Sequence, residues 1–311
     1  LKEKLNILFL NSAKSWGGNE RWLTSAANGL ADRGHNVLLA HRTDIFDGRI
    51  DDSVGMLRLP FKHEFDLKTR KALKRFIKEQ SIDLLLPTKR KEYFIAGQIG
   101  KSMKIPVIFR MGILRSFPGW DLPQRYVYRW LPTAVIVNAN IIKESLVNEK
   151  IMPAERINVI YNGYEFPGSF EKYNIDLPND IFVFAAAGRL THQKGFDLLL
   201  KAVSILKLKD RKFHLFIAGE GSEKAKCEHF VSNNFLQENV TFTGEIENVR
   251  GLFAASDAVV IPSRSEGIPN VLFEAWNIKK PVVASNAAGI PEAVEDRENG
   301  LLFAANNKDN A

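Results

Sequence analysis

The chain has 311 residues, 45% of them hydrophobic, a formal net charge of +7 and one cysteine, Cys227. That is enough apolar material for two domain cores, and a lone cysteine excludes an internal disulfide, leaving Cys227 a packed thiol rather than a ligand or nucleophile. No run reaches the roughly 18 uninterrupted apolar residues of a membrane span, and Leu1-Lys2-Glu3-Lys4 lacks the apolar core of a secretory signal, so the expected compartment is the cytoplasm.

Apolar runs alternate with helical periodicity from end to end, the pattern of α/β layers built on mainly parallel sheets. In the front half, strands are predicted at 6–10, 36–40, 56–59, 84–87, 107–110 and 134–138, with helices between them, notably over 20–33 and 68–79. The second of these helices carries Lys68, Arg70, Lys71, Lys74, Arg75 and Lys78 against apolar Leu67, Leu73, Phe76 and Ile77, and Lys89-Arg90-Lys91 follows. Residues 1–165 hold 27 Lys+Arg against 17 Asp+Glu, whereas 166–311 hold 16 against 19, so the basic character belongs to the front half. A basic helix face reads either as ordinary solvated surface or as one drawn to an anionic membrane or a phosphorylated acceptor. Nucleic acid is disfavoured as a partner, since neither an RNA-recognition signature nor a zinc-finger spacing accompanies the charge.

Between 157 and 180 the pattern turns irregular, with turn pairs Asn162-Gly163, Pro167-Gly168 and Pro178-Asn179. The domain junction is placed there, giving a first Rossmann-like domain over 1–165 and a second over 166–311. The rhythm restarts with strands at 182–187, 214–218, 240–243, 258–261 and 281–285 and helices near 196–207, 223–234, 247–255 and 270–278. Two such halves facing one another would set a ligand cleft at the carboxyl ends of their strands. The strand-like Gly300-Leu301-Leu302-Phe303 is followed only by a short stretch to Ala311, so a further C-terminal piece is expected.

Three loops carry candidate chemistry. After the strand at 258–261 comes Glu266-Gly267-Ile268-Pro269-Asn270-Val271-Leu272-Phe273-Glu274, with a helix starting near Pro269 or Asn270 because proline suits the first helical position. The backbone amides at about 268–271 would cradle an anionic diphosphate, while the flanking carboxylates suit sugar and ribose hydroxyls. The plainer reading makes Glu266 a helix-entry charge and Glu274 a surface residue. After the strand at 182–187 comes Gly188-Arg189-Leu190-Thr191-His192-Gln193-Lys194-Gly195, where Arg189 can fork two phosphate oxygens and Lys194 adds a point charge; alone, this could be a basic helix entrance. After the first strand, Gly17 and Gly18 allow close backbone approach to a ligand, or simply make a tight turn. Gly219-Glu220-Gly221 and Gly244-Glu245 read as strand-exit turns that could also hold a base.

With these residues in order, the chain resembles the retaining GT-B glycosyltransferases of family 4 (group 1), whose members build lipopolysaccharide, capsule and phosphoinositide glycolipids. The resemblance covers nearly all the chain. It is carried by Gly17-Gly18-Asn19-Glu20, Ala31-Asp32-Arg33-Gly34-His35-Asn36-Val37, Ile160-Tyr161-Asn162-Gly163, Gly188-Arg189-Leu190 with Gln193-Lys194-Gly195, and Glu266 to Glu274. Pro281-Val282-Val283-Ala284-Ser285, Gly289-Ile290-Pro291-Glu292 and Asn299-Gly300-Leu301-Leu302 continue it.

The resemblance implies a GT-B fold, two Rossmann-like domains facing across a cleft with the C-terminal end incomplete. It implies a nucleotide-sugar donor and a glycan or glycolipid acceptor. Glu266 would contact the transferred sugar and Glu274 the ribose. Arg189 and Lys194 would hold the diphosphate with Gly188 and the backbone of Gly267, Ile268, Pro269, Asn270 and Val271, and Gly17 and Gly18 would face donor phosphates or acceptor. No cofactor or metal is expected, and the chain contains no Asp-x-Asp triplet. Retention would proceed by front-face attack, with the leaving phosphate helping to deprotonate the acceptor.

Many relatives carry a first-domain histidine in the loop after a strand corresponding to 107–109; here the loop reads Arg110-Met111-Gly112, which makes Arg110 a candidate for acceptor or phosphate contact and equally for a structural ion pair. The reading is therefore a metal-independent retaining hexosyltransferase, peripheral on the inner face of a membrane. The alternatives are a nucleotide-sugar epimerase of the same fold and a non-catalytic sugar-nucleotide-binding protein.

Overall fold

In the run Asn6-Ile7-Leu8-Phe9-Leu10-Asn11 the four central side chains are apolar on both faces, which a strand tolerates only when helices cover both sides of its sheet. The computed structural model describes residues 3–164, 169–178, 180–247 and 249–305. It divides into two units between Tyr161 and Asn162. The expected boundary at 165–166, the turn at Pro167-Gly168, Asn179 and the stretch 306–311 lie outside the described residues.

Unit 1 contains β1 (Asn6–Asn11), β2 (Asn36–His41), β3 (Gly55–Arg58), β4 (Leu84–Pro87), β5 (Ile108–Met111), β6 (Ala134–Val137) and β7 (Ile157–Val159). They alternate with α1 (Gly18–Asp32), α2 (Leu67–Glu79), α3 (Arg90–Met103), α4 (Leu122–Trp130) and α5 (Asn140–Asn148). The strands run parallel in the order β3-β2-β1-β4, and a parallel bridge from Leu85 to Val107 leads into β5-β6-β7. Alternate residues of β1 feed different cores: Ile7 and Phe9 pack with Leu23, Leu39 and Phe46, whereas Leu8 and Leu10 pack with Leu73, Phe109 and Tyr128. The region from 157 was read as irregular; residues 157–159 instead form the edge strand β7 on β6. Three residues are too few to show alternation, and the pairing partner decides.

Unit 2 contains β8 (Phe182–Ala187), α6 (Phe196–Leu208), β9 (Phe213–Ala218), α7 (Lys224–Asn233), β10 (Val240–Gly244), α8 (Val249–Ala255), β11 (Ala258–Ile261), α9 (Asn270–Asn277), β12 (Val282–Ser285) and β13 (Leu301–Phe303). Its strands are parallel in the order β10-β9-β8-β11-β12-β13. Both units are thus doubly wound, and each reverses strand order beside its first strand, where the two flanking loops diverge and open a crevice at the carboxyl edge. Cys227 is buried on α7, and burial pushes its thiol up to about 11, as a packed thiol requires. No helix among the described residues is long and apolar enough to cross a membrane.

Candidate functional site

The reversal in unit 2 falls between β8 and β11, so the loops 188–195 and 262–269 lie side by side. Backbone approach that only glycine permits locks them together. Gly195 sits at φ +68°, and a Cβ there would lie 2.0 Å from the Pro262 carbonyl oxygen; at Gly219, φ +139°, it would lie 2.0 Å from that of Gly188. The Arg264 N–H donates to the Gln193 carbonyl at 2.8 Å, and Gln193 Nε2 to that of Ser265 at 2.5 Å. The Arg264 guanidinium is spent on the frame: it forks Asp197 of α6 at 2.6 and 2.7 Å and donates to the His192 carbonyl. That fork holds the Asp197 carboxyl below the usual carboxylate range.

Within this frame the short 3₁₀ turn His192–Lys194 aims Lys194 at the neighbouring loop. Its Nζ lies 2.5 Å from Glu266 Oε1, and Ser263 Oγ donates to the same oxygen at 2.7 Å. Both side chains are mostly covered yet still reach solvent, at 21% and 13% exposure. One of the three ammonium donors is used by Glu266, and Glu266 Oε2 accepts nothing among the described residues. Arg189 is exposed and makes no ion pair among the described residues. The pair therefore presents spare donors from the cation and a spare acceptor from the carboxylate, and the same loop carries the exposed Arg189.

Pro269 caps α9 in extended conformation, so the helix starts at Asn270 as its sequence predicts, and Ile268 is buried below the turn. Glu274 is 5% exposed, which overturns its reading as a surface residue. Tyr164 Oη donates to its carboxylate, and Asn162 Nδ2 donates to Asn270 Oδ1 at 3.2 Å, so the start of unit 2 is fastened to α9.

At the corresponding reversal in unit 1, between β1 and β4, the Gly17-Gly18 loop leads into α1 with Gly17 as an extended N-cap. Glu20 in the first turn is buried and was named in the sequence only as part of a motif; the structure makes it the hub of the loop. Its Oε1 lies 2.8 Å from Lys89 Nζ and accepts from Asn11 Nδ2 at 3.0 Å and from Asn19 Nδ2 at 3.3 Å, while Asn11 also donates to Thr88 at the end of β4. Burial pushes the Glu20 carboxyl up, but the Lys89 ammonium and the two amides outweigh it and hold the group below its ordinary value. Nearby, Glu92 is fully buried at the start of α3, and burial drives its carboxyl up against the opposing pull of Ser12 and Lys89.

Arg110 leaves β5 buried, its guanidinium 4.7 Å from the centre of the Trp22 ring and donating to Asn19 Oδ1 at 3.2 Å. Burial pulls its pKa down to about 10, opposed by the field of Tyr93 and Glu20. Gly112 leaves the room it occupies, since a Cβ there would lie 2.4 Å from Arg110 Nη1. The structure thus joins Lys194 to Glu266 in unit 2 and Arg110 to the Gly17–Glu20 loop in unit 1.

Two doubly wound units with these edge loops define a GT-B glycosyltransferase. Residues 16–166 match the family described as Glycosyltransferase Family 4, and residues 169–311 that described as Glycosyl transferases group 1. The chain belongs to that group 1, family 4 set. An uncharacterized glycosyltransferase of Haemophilus influenzae is 26% identical over 310 residues, covering 96% of this chain and 86% of its relative. The lipopolysaccharide core biosynthesis glycosyltransferase LpsE of Rhizobium meliloti is 25% identical over 291 residues, covering 92% and 81%. Among solved structures, Anabaena HepE in complex with UDP-glucose superposes with a TM-score of 0.80 at 21% identity, over 97% of this chain and 86% of that one, a likeness of fold.

Proposed function

We propose that this glycosyltransferase is a metal-independent, retaining enzyme that moves a hexose-type sugar from a nucleotide-sugar donor to a glycan or glycolipid acceptor of cell-surface polysaccharide synthesis. The observation that carries this reading is the Lys194–Glu266 pair at the unit 2 reversal, on a loop that also exposes Arg189. Arg189 and Lys194 hold the donor diphosphate together with Gly188 and the backbone N–H groups of Gly267, Ile268, Asn270 and Val271, with Pro269 shaping the turn. Glu266 uses its free oxygen on a hydroxyl of the transferred sugar, and Glu274 takes the ribose. As the glycosidic bond breaks, negative charge grows on the departing diphosphate. Preorganised cations stabilise that charge more than they stabilise the bound donor, which is the source of rate acceleration.

The leaving phosphate oxygen receives the acceptor proton from the same face, so no protein base is assigned, and the cations take the place of a metal. Unit 1 takes the acceptor, with the Gly17-Gly18 loop and Arg110 as its polar contacts. The crystal structure of HepE with UDP-glucose makes UDP-sugars the first donors to test, and the lipopolysaccharide role of LpsE suggests a lipid-linked acceptor at the inner face of a membrane.

The test is to supply UDP-, GDP- and ADP-sugars with and without an acceptor extract, in the presence of EDTA, and to read product anomers by NMR. Transfer with retained configuration and undiminished rate supports the proposal. Inverted product or abolition by EDTA contradicts it, and an epimerised sugar without acceptor makes the protein an epimerase instead.

A further inference from the structure

The helix α4 has the sequence Leu-Pro-Gln-Arg-Tyr-Val-Tyr-Arg-Trp, and its two faces are both apolar. The inward face is accounted for. Tyr128 meets Phe117, Phe109 and Tyr93 at ring-centre distances of 4.9, 6.1 and 5.5 Å. Leu131 presses against α3 where only a glycine fits, since a Cβ on Gly97 would lie 2.5 Å from the Leu131 side chain. The outward face is not. Leu122, Tyr126 and Trp130 follow one another at every fourth residue, a single helical stripe, and are 68%, 40% and 57% exposed; Trp120, just before the helix, is 82% exposed. Isolated exposed apolar residues are ordinary, but a contiguous stripe of this size marks a surface that meets something.

The chemistry around the stripe indicates what. Lys101 of α3 lies 5.7 Å from the Tyr126 ring centre, Gln98 donates to the Tyr126 hydroxyl, and Arg129 lies 5.3 Å from the Trp130 ring. On α3 the residues Phe94, Gln98 and Lys101 share one face, and Phe94 meets the exposed Phe65 edge-on at 5.1 Å. The adjoining α2 exposes Lys68, Lys71, Lys74 and Lys78. From 62 to 130 the chain carries 16 Lys+Arg against six Asp+Glu. Aromatic rings that carry polar edges, set among lysines and arginines, suit the boundary between lipid headgroups and acyl chains. They do not suit a dry protein interface, where lysine is depleted.

We propose that Trp120, Leu122, Tyr126 and Trp130 form an interfacial insertion surface that seats unit 1 on an anionic lipid bilayer, with the lysines of α2 and α3 supplying long-range attraction. The basic helix alone gives salt-sensitive attraction; the aromatic stripe adds penetration, which salt does not remove. The proposal extends the membrane clause of the proposed function and does not depend on the donor chemistry.

The test is co-sedimentation with phosphatidylcholine vesicles, with and without about 30% phosphatidylglycerol, at low and high salt. The full chain binds the anionic vesicles, and W120S/L122S/W130S lowers the partition coefficient about tenfold or more, while its thermal melt and its nucleotide-sugar binding stay as in the parent. As a second arm, W120F/W130F keeps vesicle binding, but quenching of tryptophan emission by brominated acyl chains falls away, because Trp16, Trp22 and Trp276 lie elsewhere. Equal binding by the serine variant, quenching that persists in W120F/W130F, or a concentration-dependent dimer that the serine variant abolishes with no vesicle binding by the parent would each overturn the proposal. Loss of donor binding in R189A/K194A with vesicle binding intact separates a failure of this surface from a failure of the donor site.

Discussion

The two units reverse strand order at the same place, and each sets a lysine against a glutamate there, yet the two pairs differ in kind. In unit 1 the Glu20 carboxylate is 4% exposed and its Oε1 is shared among Lys89, Asn11 and Asn19. In unit 2 the Lys194–Glu266 pair has only Ser263 as a further side-chain partner among the described residues, and Arg189 of the same loop is exposed. The first arrangement has its charges satisfied within the protein and holds a loop in shape. The second retains unspent hydrogen-bonding capacity, which is what a polar ligand needs. Removing the unit 1 carboxylate leaves the buried Asn11 amide without one of its acceptors, while Lys89, 37% exposed, still reaches water. In the unit 2 pair both partners keep some contact with solvent, at 21% and 13% exposure, and retain hydrogen-bonding capacity for a ligand.

That contrast can be broken experimentally, most forcefully at Lys194. K194A is expected to slow sugar transfer by about 10²- to 10³-fold, the usual effect of removing one preorganised donor from a developing anion, with little change in the unfolding free energy measured in urea. Comparable loss of stability and activity would make the pair structural. G195A is next: a side chain at φ +68° and 2.0 Å from the Pro262 carbonyl forces the two loops apart, for an expected loss of about 2–4 kcal/mol together with weakened donor binding. Denaturant unfolding and calorimetry check both parts.

E20A inverts the K194A pattern. It leaves the buried Asn11 amide short of an acceptor, while the part-exposed Lys89 turns to solvent, and is expected to lose about 1–2 kcal/mol of stability, while nucleotide-sugar affinity in unit 2 stays within a factor of about two, well under 1 kcal/mol. The smallest effect belongs to Asp66, the N-cap of α2, which accepts from the Thr69 N–H. Burial raises the Asp66 carboxyl, but the hydrogen bonds of Lys62 and Thr69 outweigh it and bring it from 3.8 to about 2. A depressed pKa contributes stability above the unfolded value that is lost as pH falls through the folded one. D66A is therefore expected to cost about 1 kcal/mol at neutral pH, and the difference from the parent should vanish between pH 4 and pH 2 in a series of urea melts.

Much of this fold is legible in the chain because the strands are fully covered. The runs at 6–10, 182–187 and 258–261 are nearly continuous in apolar residues, and strands buried on both faces have that composition. β7 is not legible, since Ile157 and Val159 become a strand only by pairing with β6. The candidate site is legible as separate loops and not as contacts. Lys194 and Glu266 are brought together by the adjacency of β8 and β11, an order that the sequence of β8 and β11 does not encode locally. The same holds for Arg264, whose fork to Asp197 is tertiary, and for Glu20, whose burial depends on Lys89 at the far end of β4. The partner of buried Glu274 is Tyr164, which belongs to the turn-rich stretch where periodicity carries no information.

The central claim is that the open pair at the unit 2 reversal binds the diphosphate of a nucleotide-sugar. A thermal-shift screen of UDP-, GDP- and ADP-sugars selects a donor, since binding to the native state raises its stability. Titration calorimetry of that donor then tests the claim directly. Each charge-assisted contact is worth about 1.5–3 kcal/mol, so R189A/K194A should weaken binding by about 10²-fold or more, with the melting temperature of the free protein unchanged. Parental affinity in the double variant would contradict the account.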